Sequence, residues 1–111
     1  MQLLGSFFKY KFILIIFFHV YSFSQEKIVL QLKWLHQFQF AGYYAAKEKG
    51  FYDEVGLDVD IKERNVKLND IQQVINGEAQ YGISDSVLFF YKINNEPIVI
   101  VSPIFQHSLS V

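Results

Sequence analysis

The run Ile28-Val29-Leu30-Gln31-Leu32 is apolar at four of its five positions, the pattern of a short strand covered on both faces. It ends at Lys33-Trp34. From Phe40 to Lys49 the segment Phe-Ala-Gly-Tyr-Tyr-Ala-Ala-Lys-Glu-Lys suits a helix. Gly50 follows, where a left-handed cap is usual, and Lys47 and Lys49 fall in the last turn, where the helix dipole favours cations. Gly56 then makes a turn. Leu57-Asp58-Val59-Asp60-Ile61 alternates with period two, which predicts a strand near a sheet edge with one wetter face.

A second helix is signalled by Asn69 as N-cap, Asp70 in the first turn, Ile71, Val74 and Ile75 at i, i+3 and i+4, and Gly77 past the end. Tyr81-Gly82-Ile83 predicts a short strand. Ser84-Asp85-Ser86 is placed to cap a third helix through Val87-Leu88-Phe89-Phe90-Tyr91-Lys92, which stops at Asn94-Asn95. After Glu96-Pro97, the β-branched run Ile98-Val99-Ile100-Val101 predicts a strand lying centrally in the sheet.

The resulting order, β-α-β-α-β-α-β, implies an α/β fold: a parallel sheet with right-handed helical crossovers. The closing Ser108-Leu109-Ser110-Val111 resembles the start of another strand. A domain of the 87 residues from Gln25 to Val111 would bury only roughly 60 to 65% of its unfolded surface. The expectation is therefore an incomplete lobe over residues 25–111.

Residues 1–24 belong to a different population. Six of the twelve phenylalanines precede Ser24, and Lys9 and Lys11 precede the apolar run Phe12-Ile13-Leu14-Ile15-Ile16-Phe17-Phe18. Small residues at Ser22 and Ser24 suit cleavage before Gln25, so the segment reads as a signal peptide and the product as periplasmic. The run is shorter than the ~20 residues of a comfortable spanning helix and is interrupted by His19. An uncleaved anchor over residues 7–23 is the alternative reading.

Charge and composition narrow the partners. From Gln25 onward there are eight Lys or Arg against eleven Asp or Glu, with no basic run and no aromatic-interleaved basic stripe, which argues against nucleic acid. The chain has no cysteine, so disulfides, thiolate metal sites and a lipidated N-terminal Cys are excluded. No Gly-x-Ser-x-Gly elbow, Gly-rich phosphate loop or His-Glu-x-x-His occurs either. Asp53 with Glu54 and Asp58 with Asp60 read as solvated charge.

In an open parallel sheet, ligands bind beyond the carboxyl ends of the strands. That rule collects Lys33-Trp34-Leu35-His36-Gln37, Arg64-Asn65, Ser84-Asp85-Ser86 and Gln106-His107-Ser108 on one rim. Trp34 could stack on a flat heterocycle, with amide hydrogen bonds from Gln37 and Asn65 and hydroxyls from Ser84 and Ser86 at a helix start that favours anions. Asp85 and His107 complete the candidate ligand-binding set. The bland readings are a core-packed Trp34, a plain helix cap at Ser84 and Asp85, and ordinary loop histidines at His36 and His107. The histidines have no companion carboxylate or third ligand at metal-like spacing, so no metal and no cofactor are expected.

The stretch Lys33-Trp34-Leu35-His36-Gln37-Phe38-Gln39-Phe40-Ala41-Gly42-Tyr43-Tyr44-Ala45-Ala46, followed by Lys49-Gly50-Phe51-Tyr52 and Gly56-Leu57, resembles one family closely. That family joins the thiamine pyrimidine precursor synthases of fungi to bacterial ABC-transporter solute-binding proteins for pyrimidine precursors, sulfonates and nitrate. Similarity continues through Asn76-Gly77, Tyr81-Gly82-Ile83 and Pro97-Ile98-Val99. The resemblance implies a type II periplasmic-binding fold with ligand between two lobes, of which this chain holds most of the first.

By the same resemblance, the tryptophan that contacts the pyrimidine falls on Trp34. The synthases' pyridoxal-phosphate lysine and sacrificial histidine fall on Ser84 and Leu88, and a serine cannot form the Schiff base. Binding members often carry Asn three and His six residues after the tryptophan; here Gln37 and Phe40 stand there. The expected function is thus a non-enzymatic, periplasmic solute-binding protein for a small planar or anionic nutrient, partnered by an ABC importer permease. The His-Gln-Phe-Gln-Phe-Ala-Gly-Tyr-Tyr variant also resembles the extracytoplasmic input lobe of membrane-bound sensor kinases and diguanylate cyclases, which is the alternative. A thiamine pyrimidine synthase, dependent on pyridoxal phosphate and iron, is the least favoured.

Overall fold

A computed structural model describes residues 24–105. Its first strand, β1 (Glu26–Gln31), lies between two parallel neighbours, β2 (Leu57–Lys62) and β3 (Tyr81–Gly82), in the order β2-β1-β3. The central position explains the apolar run. Ile28, Leu30 and the adjoining Leu32 are all buried, whereas β2 at the edge alternates buried Val59 with exposed Asp58 and Asp60. In register, Ile28 pairs with Val59 and Leu30 with Ile61, so the apolar positions of both strands share one face.

The β1–β2 crossover is helical. A 3-10 turn at Phe38–Phe40 leads into α1 (Ala41–Glu48), and α2 (Phe51–Glu54) follows. Gly50 sits between them at φ 75°, a left-handed conformation that costs glycine nothing. The predicted first helix therefore ends at the predicted glycine, while the short α2 lies beyond the reading, its four residues spanning one turn. Tyr43 and Tyr52 lay their rings on the Ile28, Leu30 and Val59 cluster, and Lys47 donates to the carbonyl of Val59 at 2.6 Å. Burial holds both phenols above their ordinary pKa, and for Tyr43 the proximity of Tyr52 adds to it.

The second crossover carries α3 (Asp70–Ile75), capped as its sequence predicts: the Asn69 side chain accepts from the N–H groups of Ile71 and Gln72. With strands in the order β2-β1-β3, the two crossovers run in opposite lateral directions. Right-handed connections then place α1–α2 and α3 on opposite faces of the sheet. The approach of α3 to β3 is close: a Cβ on Gly82 would stand 2.9 Å from Cγ2 of Val74. Beyond the two paired residues of β3, the Gln80 side chain accepts from the N–H of Val29 at 2.8 Å and extends the ladder by one bond.

Two expectations need correction. The predicted cap of the third helix is displaced: α4 spans Leu88–Ile93, its N-cap is Val87 with no side-chain bond, and Asp85 instead accepts from the N–H of Val87 in the turn before it. The run 98–101 forms no strand. Ile98 is buried, but its N–H bonds to Glu96 at 2.8 Å and its carbonyl accepts from Lys92 at 3.1 Å, so both groups are used locally. Val99 and Val101 are 83% and 77% exposed. The sheet edge offers only the two residues of β3, too short a template for a β-branched run to extend. Among the described residues the sheet accordingly has three strands rather than four. The signal-peptide reading for residues 1–24 falls almost wholly outside the described residues.

Candidate functional site

All three strands end on the same side, and the loops that follow them enclose an open cleft of about 820 Å³. After β1 come Lys33, Trp34, Gln37 and Gln39; after β2, Arg64, Val66, Lys67 and Leu68; after β3, Ser84, Asp85 and Val87. Asn69, Asp70 and Ile71 at the start of α3 and Tyr91 of α4 close the far wall. This is the carboxyl-end location at which open parallel sheets take ligands.

The loops after β1 and β2 are fastened at their roots. Gln31, 1% exposed, donates from its side-chain amide to the carbonyls of Leu32 at 3.0 Å and Glu63 at 3.1 Å, and more loosely to Lys62 at 3.4 Å. Above it, the N–H of Leu32 bonds to Lys62 at 2.8 Å and the N–H of Arg64 to Trp34 at 3.0 Å. His36 adds a third tie. Its N–H donates to the Glu63 carboxylate at 3.3 Å, and its ring meets the Tyr44 hydroxyl and lies 3.8 Å from Glu63. Burial, then the Glu63 charge, raises the Tyr44 pKa. His36 is thus an anchoring loop histidine.

Trp34 is 47% exposed on the cleft wall, and the Arg64 guanidinium lies over its indole at 5.6 Å from the centroid. A core-packed indole would be covered; this one keeps about half its surface exposed. Gln37, Ser84 and Asp85 line the same cleft. Asn65 and Ser86 do not: Asn65 spends its side-chain oxygen on the N–H of Lys67 at 3.0 Å, and Ser86 lies outside the lining. His107 lies outside the described residues. Arg64 and Lys33 belong to the rim segments and line the cleft as well, beside the neutral residues expected there. Lys67, Asn69, Asp70 and Tyr91 carry only helix or loop signals, so nothing in their spacing points to a cleft.

Three cations, Lys33, Arg64 and Lys67, face two carboxylates, Asp70 and Asp85, around the opening. No group of three His, Asp, Glu or Cys among the described residues is arranged to hold a metal ion. The means on offer are a flat apolar face, amide and hydroxyl hydrogen bonds and a net positive wall, which serve binding rather than bond cleavage.

Parallel strands under helical crossovers, opening into a cleft at their carboxyl ends, define an α/β lobe of the ligand-binding kind. Residues 37–111 match the family described as NMT1/THI5 like, and the chain belongs to that family. It lies within the periplasmic-binding-protein superfamily of ABC transporter solute-binding proteins, and the three-stranded sheet is consistent with part of that fold. The family is mainly one of solute-binding, non-enzymatic proteins, typically periplasmic or extracytoplasmic. No curated protein and no solved structure matches the chain. The matched segment begins three residues after Trp34, so the role of the indole rests on its own geometry. Among the described residues no helix is long and apolar enough to cross a membrane.

Proposed function

We propose that this chain is the first lobe of an exported solute-binding protein that hands a small planar or anionic nutrient, such as a thiamine pyrimidine precursor, a sulfonate or nitrate, to an ABC importer permease. The observation that carries this reading is the half-exposed indole of Trp34 on a polar cleft at the carboxyl ends of the sheet. An indole offers a flat ligand a stacking face, and Gln37, Ser84 and Asp85 supply hydrogen bonds to fix its orientation. Residues 1–24, with Lys9 and Lys11 before an apolar run, supply the export signal in this reading.

A synthase reading is disfavoured at the same cleft. Ser84, on its wall, has a hydroxyl where a Schiff base needs an amine, and Leu88 has no imidazole.

Trp34 is the one tryptophan of the chain, so its fluorescence reports this cleft alone. Titration of the full chain with an aminopyrimidine alcohol, an alkanesulfonate and nitrate should give a saturable change with at least one of them, reproduced by calorimetry on the unsubstituted protein and weakened in Trp34→Ala when followed by calorimetry. Flat titrations with all three, or calorimetric binding that Trp34→Ala leaves unchanged, would overturn the assignment.

A further inference from the structure

We infer that Arg64 is the group that selects the ligand's charge, and that the cleft takes a flat ring bearing a carboxylate, with the ring against Trp34 and the carboxylate on the guanidinium. The inference rests on the reading of the cleft as a binding site and adds to it a residue and a chemical class.

Arginine stays charged at any physiological pH, and a charged group in a protein normally has a partner. Among the described residues, the Arg64 side chain makes no hydrogen bond and no ion pair, and its Nε is buried without an acceptor. A buried donor left unsatisfied is uncommon and calls for an explanation. The nearest carboxylate in sequence is occupied elsewhere, since Glu63 is turned to His36. Asp85, across the cleft, is engaged with the N–H of Val87. What the guanidinium does have is the indole, 5.6 Å away, a distance at which a cation is attracted to the ring face.

The two residues are also joined through their backbones, N–H of Arg64 to carbonyl of Trp34 at 3.0 Å. Cation and aromatic face are therefore presented together. A planar guanidinium matches a carboxylate with two parallel bonds, and such charge-assisted pairs are roughly twice as strong as neutral ones. Lys33 and Lys67, lining the same cleft, add to the positive field. A flat carboxylate uses all of these features at once; a neutral ring uses the indole alone, and a small anion only the cation.

Benzoate, benzamide and acetate separate the contributions, with Trp34 fluorescence of the full chain as the readout. Benzoate is expected to bind at least tenfold more tightly than either of the others. Arg64→Gln should erase the preference for benzoate over benzamide, and Arg64→Lys should restore it only in part. Equal affinity for benzoate and benzamide in the unsubstituted protein overturns the inference without reference to any variant. So does an Arg64→Gln protein, folded by circular dichroism, that keeps the preference. Binding of an aminopyrimidine or alkanesulfonate with no benzoate response removes the inference and leaves the solute-binding reading standing. No response to any probe removes both.

Discussion

The side-chain amide of Gln31 donates to the carbonyl of Glu63 at 3.1 Å, across the point where β1 and β2 give way to their loops. The residue is 1% exposed and also reaches Leu32 and Lys62, so one neutral side chain satisfies carbonyls that two diverging loops would otherwise leave to compete. Replacement by Leu keeps the bulk and removes the donor. Leaving buried acceptors unpaired costs ~1–3 kcal/mol, so Gln31→Leu should lower unfolding free energy by about that amount in a urea titration. Gln31→Glu should be worse at neutral pH, because a carboxylate only accepts and would face three carbonyl oxygens. Its protonation restores a donor. The folded-state pKa of the introduced carboxyl is thus raised, and the Gln31→Glu protein should gain stability relative to wild type as pH falls toward 5.

Gly82 is required by distance rather than by backbone angle. A methyl group there would meet Cγ2 of Val74 at 2.9 Å, and valine is stiff at χ1, so it cannot swing away freely. Gly82→Ala should therefore destabilise by ~1–3 kcal/mol, as overpacking does. Val74→Ala alone should also destabilise, by removing packing. The double variant should be more stable than the two single losses added together. A double-mutant cycle by thermal unfolding that shows additivity would mean α3 and β3 do not touch through these atoms.

The legible parts of this chain were those decided by local pattern. Asn69 and Gly50 announce a helix start and a helix stop through side-chain oxygen and absent Cβ, and both act as read. The alternation of Leu57 to Ile61 likewise marks an edge strand, and β2 lies at the sheet edge. Ile98 to Val101 misled because β-propensity describes a fit to a neighbouring strand, and two residues of β3 provide almost none. At the cleft, the strand-end rule brought Trp34, Gln37, Ser84 and Asp85 to one opening. It could not tell that Asn65 would turn back onto Lys67, nor that Arg64 would lie over the indole, since both depend on side-chain rotamers in an irregular loop. Tyr91, arriving from α4 twenty-two residues away from Asn69, is a tertiary contact with no sequence signature.

Alkaline pH should weaken the packing of α1 and α2 on the sheet. Burial raises the folded-state pKa of Tyr43 and Tyr52 above the ordinary value near 10. Above that value the unfolded chain releases the phenolic protons before the folded one does, so the folded state binds more protons and stability falls with rising pH. Stabilisation is complete below about pH 10 and is lost as pH climbs through the raised folded values. Urea midpoints should accordingly drop as pH rises above about 10. Tyr43→Phe with Tyr52→Phe should flatten that part of the profile while leaving the acid side unchanged. An equally steep drop in the double variant would assign the alkaline loss to other groups.

Asn69 has two tasks, and they can be separated. Its oxygen caps α3 at 2.9 and 3.1 Å, while its amide nitrogen donates to the hydroxyl of Tyr91 at 2.8 Å and so joins the start of α3 to α4 along the cleft wall. Asn69→Ala removes both and should cost at least the ~1 kcal/mol typical of a lost N-cap. Asn69→Ser keeps an oxygen for the cap but is too short for Tyr91, so it should recover most of that stability. Tyr91→Phe keeps the cap and loses only the bridge. Because α4 is held to the sheet by few other contacts, Tyr91→Phe and Asn69→Ser should both speed amide hydrogen exchange in residues 88–93, with little change in residues 70–75. Exchange that accelerates in α3 rather than α4 would show that the Tyr91 hydroxyl supports the cap instead of tying the two helices together.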